Sequence, residues 1–189
     1  LLADGTVGCF GDNTSGQLGD GSTTWLAANP QVKRVPGVSQ ALMVAAGAEH
    51  SCAVSASGHV QCWGNNSRGQ LGASTPGPLL DTPADVANLT DVVSMSAGAA
   101  HTCALRADGS VYCFGDNLHG QLTRDPAQIS SSAAPVPINF AAEHGPTRDL
   151  SCGANHCCAI VAQNMLKCWG DGAHGQLGNG VIGQSVMST

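Results

Sequence analysis

Apolar runs of four to eight residues, separated by Gly, Pro, Asn, Asp and Ser, fill this chain from end to end, and helix is hard to find. Three of the runs begin alike: His50-Ser51-Cys52-Ala53-Val54, His101-Thr102-Cys103-Ala104-Leu105 and His156-Cys157-Cys158-Ala159-Ile160. Each is followed by a turn signal (Ser57-Gly58, Asp108-Gly109, Gln163-Asn164) and then by a second short apolar run. Apolar residues leading into a turn and out of it predict a β-hairpin. The segment from Leu1 to Cys9, around Asp4-Gly5, shows only the latter half of one.

The spacing predicts the register. Cys103 and Cys113 are symmetric about Asp108, so a three-residue loop, Ala107-Asp108-Gly109, sets them directly opposite each other. Such loops commonly end in one left-handed residue. Gly5, Gly58, Gly109 and Asn164 occupy that position, and Gly and Asn are the residues that tolerate it. Counting outward, Cys103/Cys113 falls on a non-hydrogen-bonded site, where Cα atoms approach to about 4.5 Å. That is within reach of a disulfide. Cys52/Cys62 and Cys158/Cys168 follow the same arithmetic, and three cross-strand bridges are expected. The alternative is paired buried thiols packing as small apolar groups. Cys9 has no opposite number.

The hairpins belong to a larger period. Cys-(Trp/Phe)-Gly-x-x-x-x-Gly-Gln-Leu occurs four times, starting at Cys9, Cys62, Cys113 and Cys168, at spacings of 53, 51 and 55 residues. A self-similar period of about 50 residues signals an array of supersecondary units. The expectation is one repeat-array domain over residues 1–189, cut through a repeat at both ends, with repeats near 1–45, 46–96, 97–151 and 152–189.

These motifs resemble the repeats of the regulator-of-chromosome-condensation family. The third copy carries the pattern from Gly98 through His101, Ala104, Leu105, Gly109, Val111, Gly115 and Asn117 to Gly120-Gln121-Leu122. The second runs from Gly47 and His50 to Trp63-Gly64, Asn66 and Gly69-Gln70-Leu71-Gly72; the fourth runs from Gly153 and His156 to Trp169-Gly170 and Gly175-Gln176-Leu177-Gly178. The resemblance implies an all-β chain forming a partial β-propeller, about half of a ring of about seven antiparallel four-stranded blades. Completion of the ring would then fall to further sequence or to self-association of two chains. On the same pattern Gly11, Gly64, Gly115 and Gly170 permit a tight exit from the hairpin, and Asn13, Asn66 and Asn117 suit a left-handed turn, with Gly172 in the last copy. Leu18, Leu71, Leu122 and Leu177, with Phe10, Trp63, Phe114 and Trp169, should plug the layers between blades.

Charge and cysteine content narrow the function. Only 11% of residues are charged, the net charge is −6, and no Lys/Arg block offers a footprint for nucleic acid. No apolar run approaches the ~20 residues of a helical membrane span. Nine cysteines, six of them in register to pair, favour an oxidising setting: extracellular, periplasmic or cell-surface.

Candidate chemistry is sparse. His50, His101 and His156 recur at one position and read as buried supports; His119 and His174 read as solvent-facing turn residues. Asp12, Asp116 and Asp171 read as turn formers that bond their own backbone. Cys152, His156, Cys157 and Cys158 form the densest constellation, but their spacing matches no standard zinc pattern, and Cys152 and Cys157 are placed to bridge across the intervening turn. No catalytic motif stands out, so neither an enzyme, a cofactor nor a metal is expected. The segments between repeats differ most, and such loops on a repeated scaffold carry binding residues. Trp25, Leu26, Arg124, His144 and Arg148 are the candidate partner contacts. The expected function is protein–protein binding without catalysis. The resemblance also implies guanine-nucleotide exchange on a Ran-type GTPase, and secreted enzyme inhibition, as alternatives.

Overall fold

The computed structural model describes residues 1–24, 29–72, 77–140 and 145–183. Among these residues, thirteen strands form four antiparallel sheets. The first sheet pairs β1 (Gly8–Gly11) with β2 (Asn29–Arg34). The second is the meander β3 (Ala41–Ala46), β4 (His50–Ser55), β5 (Val60–Asn65) and β6 (Leu79–Asp85). The third repeats it with β7 (Val92–Ala97), β8 (His101–Arg106), β9 (Val111–Asp116) and β10 (Ser131–Ile138). The fourth holds β11 (Asp149–Cys152), β12 (His156–Val161) and β13 (Met165–Gly170). β7 lies against both β3 and β11, so the first strands of successive sheets meet on the inside while β6 and β10 form outer edges. This is a partial β-propeller, with strands where the apolar alternation places them.

The sheets are phased differently from the sequence period. Counting repeats from the His-x-Cys anchor leaves nearly all of β3, β7 and β11 in the preceding unit. Hydrogen bonding instead joins each of them to the anchored strand that follows. The inner strands carry none of the repeated anchor residues, so the period alone does not show which sheet owns them.

The hairpins close as their spacing predicts. Ser55 N–H donates to the His59 carbonyl at 2.9 Å and Arg106 N–H to that of Ser110 at 2.9 Å, with Gly58 and Gly109 at φ 76° and 82°. The fourth hairpin differs, because Gln163 (φ 63°) as well as Asn164 (φ 60°) is left-handed. Nothing in the surrounding contacts explains Gln163. Cys52 faces Cys62, Cys103 faces Cys113 and Cys158 faces Cys168, with Cα atoms 4.1, 4.1 and 4.0 Å apart and a disulfide at each pair. A fourth disulfide joins Cys152 on β11 to Cys157 on β12, and Cys9 is free.

The core lies between sheets. Val54, Val60, Leu71 and Val86 of the second sheet and its connections meet Met95, Ala104 and Phe114 of the third. Leu105, Val111 and Leu122 meet Ala159 and Trp169 in the next layer, where Phe140 sets its ring edge-on to Trp169 at 5.2 Å. Val7, Val35 and Val38 meet Ala53 and Trp63 in the first. Trp63, Phe114 and Trp169 are fully buried and all four motif leucines are inside. Phe10 departs from that expectation: it is 69% exposed, and among the described residues no sheet packs on its outer side.

Gly64 and Gly115 both adopt φ 106°, and a Cβ on either would strike backbone: the Glu49 oxygen for Gly64, that of Ala100 for Gly115. Gly11, at φ 115°, has open space around it. Gly115→Ala should therefore cost about 3 kcal/mol or more and Gly11→Ala about 1–2 kcal/mol, the backbone strain alone. Urea unfolding of the two variants measures the difference.

Candidate functional site

Each loop after the third strand of a sheet is built by two side chains. Asn13, Asn66 and Asn117 accept from the N–H of Leu18, Leu71 and Leu122 through Oδ1, at 3.0, 3.2 and 2.8 Å. Through Nδ2 they donate to the carbonyls of Ser22, Gly77 and Ile129. None of the three is left-handed, contrary to the expectation from sequence; their role is carried by the amide, which clamps both ends of the loop. Gly172 lacks that amide and keeps only the backbone part of the arrangement: its carbonyl accepts from the N–H groups of Gly175 and Gly183, both at 3.1 Å, as the Asn13 carbonyl accepts from Gly16 and Thr24. The glutamines work locally as well. Gln17, Gln70, Gln121 and Gln176 accept through Oε1 from the N–H two residues earlier, at 2.7–2.9 Å.

With the loop fixed, its backbone faces the next sheet. The Gln17 carbonyl accepts from Ser51 Oγ at 3.0 Å and from Trp63 Nε1 at 2.9 Å. The Gln70 carbonyl accepts from Thr102 Oγ1 at 3.0 Å, and that of Gln121 from Trp169 Nε1 at 2.8 Å. Gly19 lies flat against Trp63, and Gly72 against Phe114, leaving no room for a Cβ. Polar edges add to two of the seams. Glu49 accepts from Ser15 at 3.2 Å and Asn65 at 2.6 Å, and Arg68 Nε stands 3.8 Å from Asp116. Asp12 and Asp171 bond the N–H two residues on, as turn formers do. Asp116 is instead buried and accepts from Gln121 at 3.0 Å.

The recurring histidines also span seams. His50 Nε2 lies 2.8 Å from Thr102 Oγ1, and because that hydroxyl donates to Gln70, the histidine must donate to it. His101 Nε2 lies 3.1 Å from Cys157 Sγ. Burial lowers the pKa of His50 to about 4; His101 is also lowered to about 4, by burial first and then by His50 and His156. Both are neutral at pH 7 and serve as inter-sheet supports. Burial likewise pushes the free Cys9 thiol up. Cys9 lines an apolar concavity of about 340 Å³ with Phe10, Leu18, Val44, His50 and Trp63. It opens beside the first sheet, which has two strands where the next two sheets have four.

Of the five candidate partner contacts, Trp25, Leu26 and His144 lie outside the described residues. Arg124 donates to the carbonyls of Thr123 (3.2 Å) and Pro137 (3.0 Å), which ties its loop to β10. Arg148 is exposed and donates to Asn164 Oδ1 at 3.2 Å, bracing the fourth hairpin. The two arginines are held by different sheets, and no hydrogen bond joins them. Among the described residues, no helix is long and apolar enough to cross a membrane.

The sequence model of the regulator of chromosome condensation (RCC1) repeat matches residues 4–54 and 108–160, and a second model of that repeat matches 44–70, 92–121 and 148–176. The chain is 33% identical over 185 residues to the probable E3 ubiquitin-protein ligase HERC6 of Homo sapiens, covering 94% of this chain and 17% of that protein. It is 29% identical over 203 residues to protein RCC2 of Homo sapiens (95% and 38%) and 32% identical over 187 residues to the ultraviolet-B receptor UVR8 of Arabidopsis thaliana (98% and 41%). The crystal structure of human WBSCR16 superposes with a TM-score of 0.84 at 25% identity, over 99% of this chain and 48% of that one. Yeast RCC1 (Prp20), bound to Kap60, shares the fold with a TM-score of 0.79 at 21% identity, over 98% and 45%. The chain thus spans less than half the length of each of these proteins.

The seam chemistry sets two expectations. Thr102→Val strands both the His50 N–H and the Gln70 carbonyl, and should cost about 2–4 kcal/mol, whereas Thr102→Ser should cost under about 1 kcal/mol; urea unfolding at pH 7 separates them. The buried histidines titrate near pH 4 when folded and near 6.5 when unfolded. In that window the unfolded chain binds more protons, so the stability they contribute is complete above pH 6.5 and is lost as pH falls toward 4. Near pH 5 the pair should add a slope of about 2.4 kcal/mol per pH unit, and His50→Gln, which keeps a donor, should remove about half of it. Unfolding curves between pH 4.5 and 7 measure both slopes.

Proposed function

This chain belongs to the RCC1 repeat family, and from that premise we propose that it is a non-enzymatic propeller module that binds another protein in an oxidising, extracellular or cell-surface setting. One observation carries the reading. The residues that repeat are engaged within and between sheets: the histidines with Thr102 and Cys157, and the glutamine carbonyls with Ser51, Trp63, Thr102 and Trp169. Recognition therefore falls to the segments that differ between repeats, and Trp25, Leu26, Arg124, His144 and Arg148 are the contacts we assign there. Trp and Arg are the side chains that most often anchor protein interfaces. The cysteines support the setting: eight of the nine are paired, and such frameworks persist where thiols are oxidised.

The recognition role proposed for Trp25, Leu26 and Arg148 implies that Trp25→Ser, Leu26→Ser and Arg148→Glu together leave the thermal midpoint within about 3 °C. The same variant should lose capture of the extracellular protein that the parent chain binds, read by cross-linking and mass spectrometry. Unchanged capture would remove these residues from the interface. Accelerated nucleotide release from a Ran-type GTPase would overturn the binding-module reading in favour of exchange. Thiol titration in denaturant without reductant should find one reactive cysteine per secreted chain; nine would remove the argument for compartment.

A further inference from the structure

Among the differences between the seam of the third and fourth sheets and its neighbour, two bring in cysteines. In the preceding seam His50 of β4 bonds to Thr102 of β8, whose pairing partner on β7 is Ala97. One repeat later His101 and Cys103 of β8 face Cys157 of β12, whose pairing partner on β11 is Cys152. The two changes bring four donor atoms together: His101 Nε2 and the sulfurs of Cys103, Cys152 and Cys157 all lie within 4.8 Å of one another.

We propose that, when its disulfides are reduced, this seam is a structural binding site for one zinc-class divalent cation, held by His101, Cys103, Cys152 and Cys157. A tetrahedral zinc with Zn–S near 2.3 Å and Zn–N near 2.0–2.1 Å sets its ligands about 3.8 Å (S to S) and about 3.5 Å (N to S) apart. Cys103 Sγ and Cys157 Sγ are already 3.5 Å apart across the seam, and His101 Nε2 is 3.1 Å from Cys157 Sγ. The ligands arrive on three strands of two sheets, so little backbone movement completes the tetrahedron. His101, Cys103 and Cys157 are fully buried and Cys152 is half-buried, which leaves no open coordination position for solvent. Four protein ligands in a closed pocket are the pattern of a structural site. Spacing along the chain points to His156 beside Cys157 and Cys158; the fold instead delivers His101, 56 residues before Cys157, while Cys158 pairs with Cys168.

The chemistry balances with a dithiol as reductant. The Cys103–Cys113 and Cys152–Cys157 disulfides each take two electrons and two protons, and two dithiols leave as cyclic disulfides. Zinc then displaces the thiol protons of Cys103, Cys152 and Cys157, while His101 binds neutral through Nε2 with its proton moved to Nδ1. Cys113 keeps its proton as a thiol. In reverse, two equivalents of a small-molecule disulfide each accept two electrons and two protons (one from Cys113 and the rest from water) and leave as thiols, which re-forms the two protein disulfides and releases the metal to solvent, so cation and disulfides are alternative staples for one seam.

The test is anaerobic titration of the reduced full chain with cobalt(II), followed by displacement with zinc(II), with circular dichroism and thermal unfolding in parallel. One equivalent of cobalt should give the visible bands of a four-coordinate thiolate site, and zinc should abolish them and raise the midpoint of the reduced chain. Cys157→Thr, which restores the residue of the preceding seam, should fold and lose stoichiometric binding, as should Cys152→Ala and His101→Ala. Cys113→Ser and Cys62→Ser should retain it. Absence of the cobalt bands from reduced chain, whether folded or unfolded, overturns the proposal. So does binding that survives Cys157→Thr, or binding lost equally in Cys62→Ser. None of these outcomes bears on the interface residues proposed above.

Discussion

No sheet of this chain has a core of its own. Each buries an apolar face only when the next sheet lies against it, and the hydrogen bonds from one glutamine-bearing loop to the following sheet set the position at which that happens. Gln17, Gln70 and Gln121 present their carbonyls because their side chains, with those of Asn13, Asn66 and Asn117, have already closed the loop around them. The carbonyl then meets a donor that is buried (Trp63, Thr102 or Trp169) or half-buried (Ser51). A buried donor without its acceptor costs about 1–3 kcal/mol, so a neighbouring sheet displaced by a residue or rotated away is penalised at each junction. Stability in such an array is local at each junction and shared only between neighbours.

The seams share one frame and differ in chemistry. The first has two donors to its carbonyl and the carboxylate of Glu49; the second has one donor, a His–Thr bond and the Arg68–Asp116 pair; the third has an indole donor and a cluster of sulfur. Phe114 stands where Trp63 and Trp169 stand, and it fills the layer without donating, so Thr102 alone satisfies Gln70. In the third seam Cys157 is in a disulfide and has no hydrogen to give, and Trp169 takes over that task. The two kinds of donor substitute for each other from seam to seam.

What could be read in the sequence was whatever depends on near neighbours. Hairpin register follows from a three-residue loop, and register in turn opposes Cys52 to Cys62 and Cys103 to Cys113. The burial of Trp63, Phe114 and the motif leucines follows from the repeat itself. What escaped was set by pieces distant along the chain. Phe10 repeats the aromatic position, yet burial there needs a sheet on its far side. Asn66 sits where a turn residue is plausible, and only its bonds to Leu71 and Gly77 show that the amide is what matters. His101 meets Cys157, not the cysteines nearest to it in sequence, because it reaches the following sheet as His50 does. Residues in the divergent segments have no repeated counterpart to align with, and Arg124 and Arg148 turn out to brace β10 and the fourth hairpin.

Covalent and noncovalent cohesion are divided cleanly among these elements. All four disulfides join adjacent strands of a single sheet, and none crosses a seam. Each closes a loop of ten residues or fewer within a ladder that already pairs, so under the chain-entropy model it constrains the unfolded chain less than a long-range bridge would. The bridges therefore stiffen individual sheets, while the arrangement of sheets depends on burial and on a handful of hydrogen bonds. It follows that redox state should be felt first within a sheet, everywhere except at the third seam. There Cys103 and Cys157 bring two disulfides from different sheets into contact, and a change in sulfur chemistry acts directly on how one sheet holds the next.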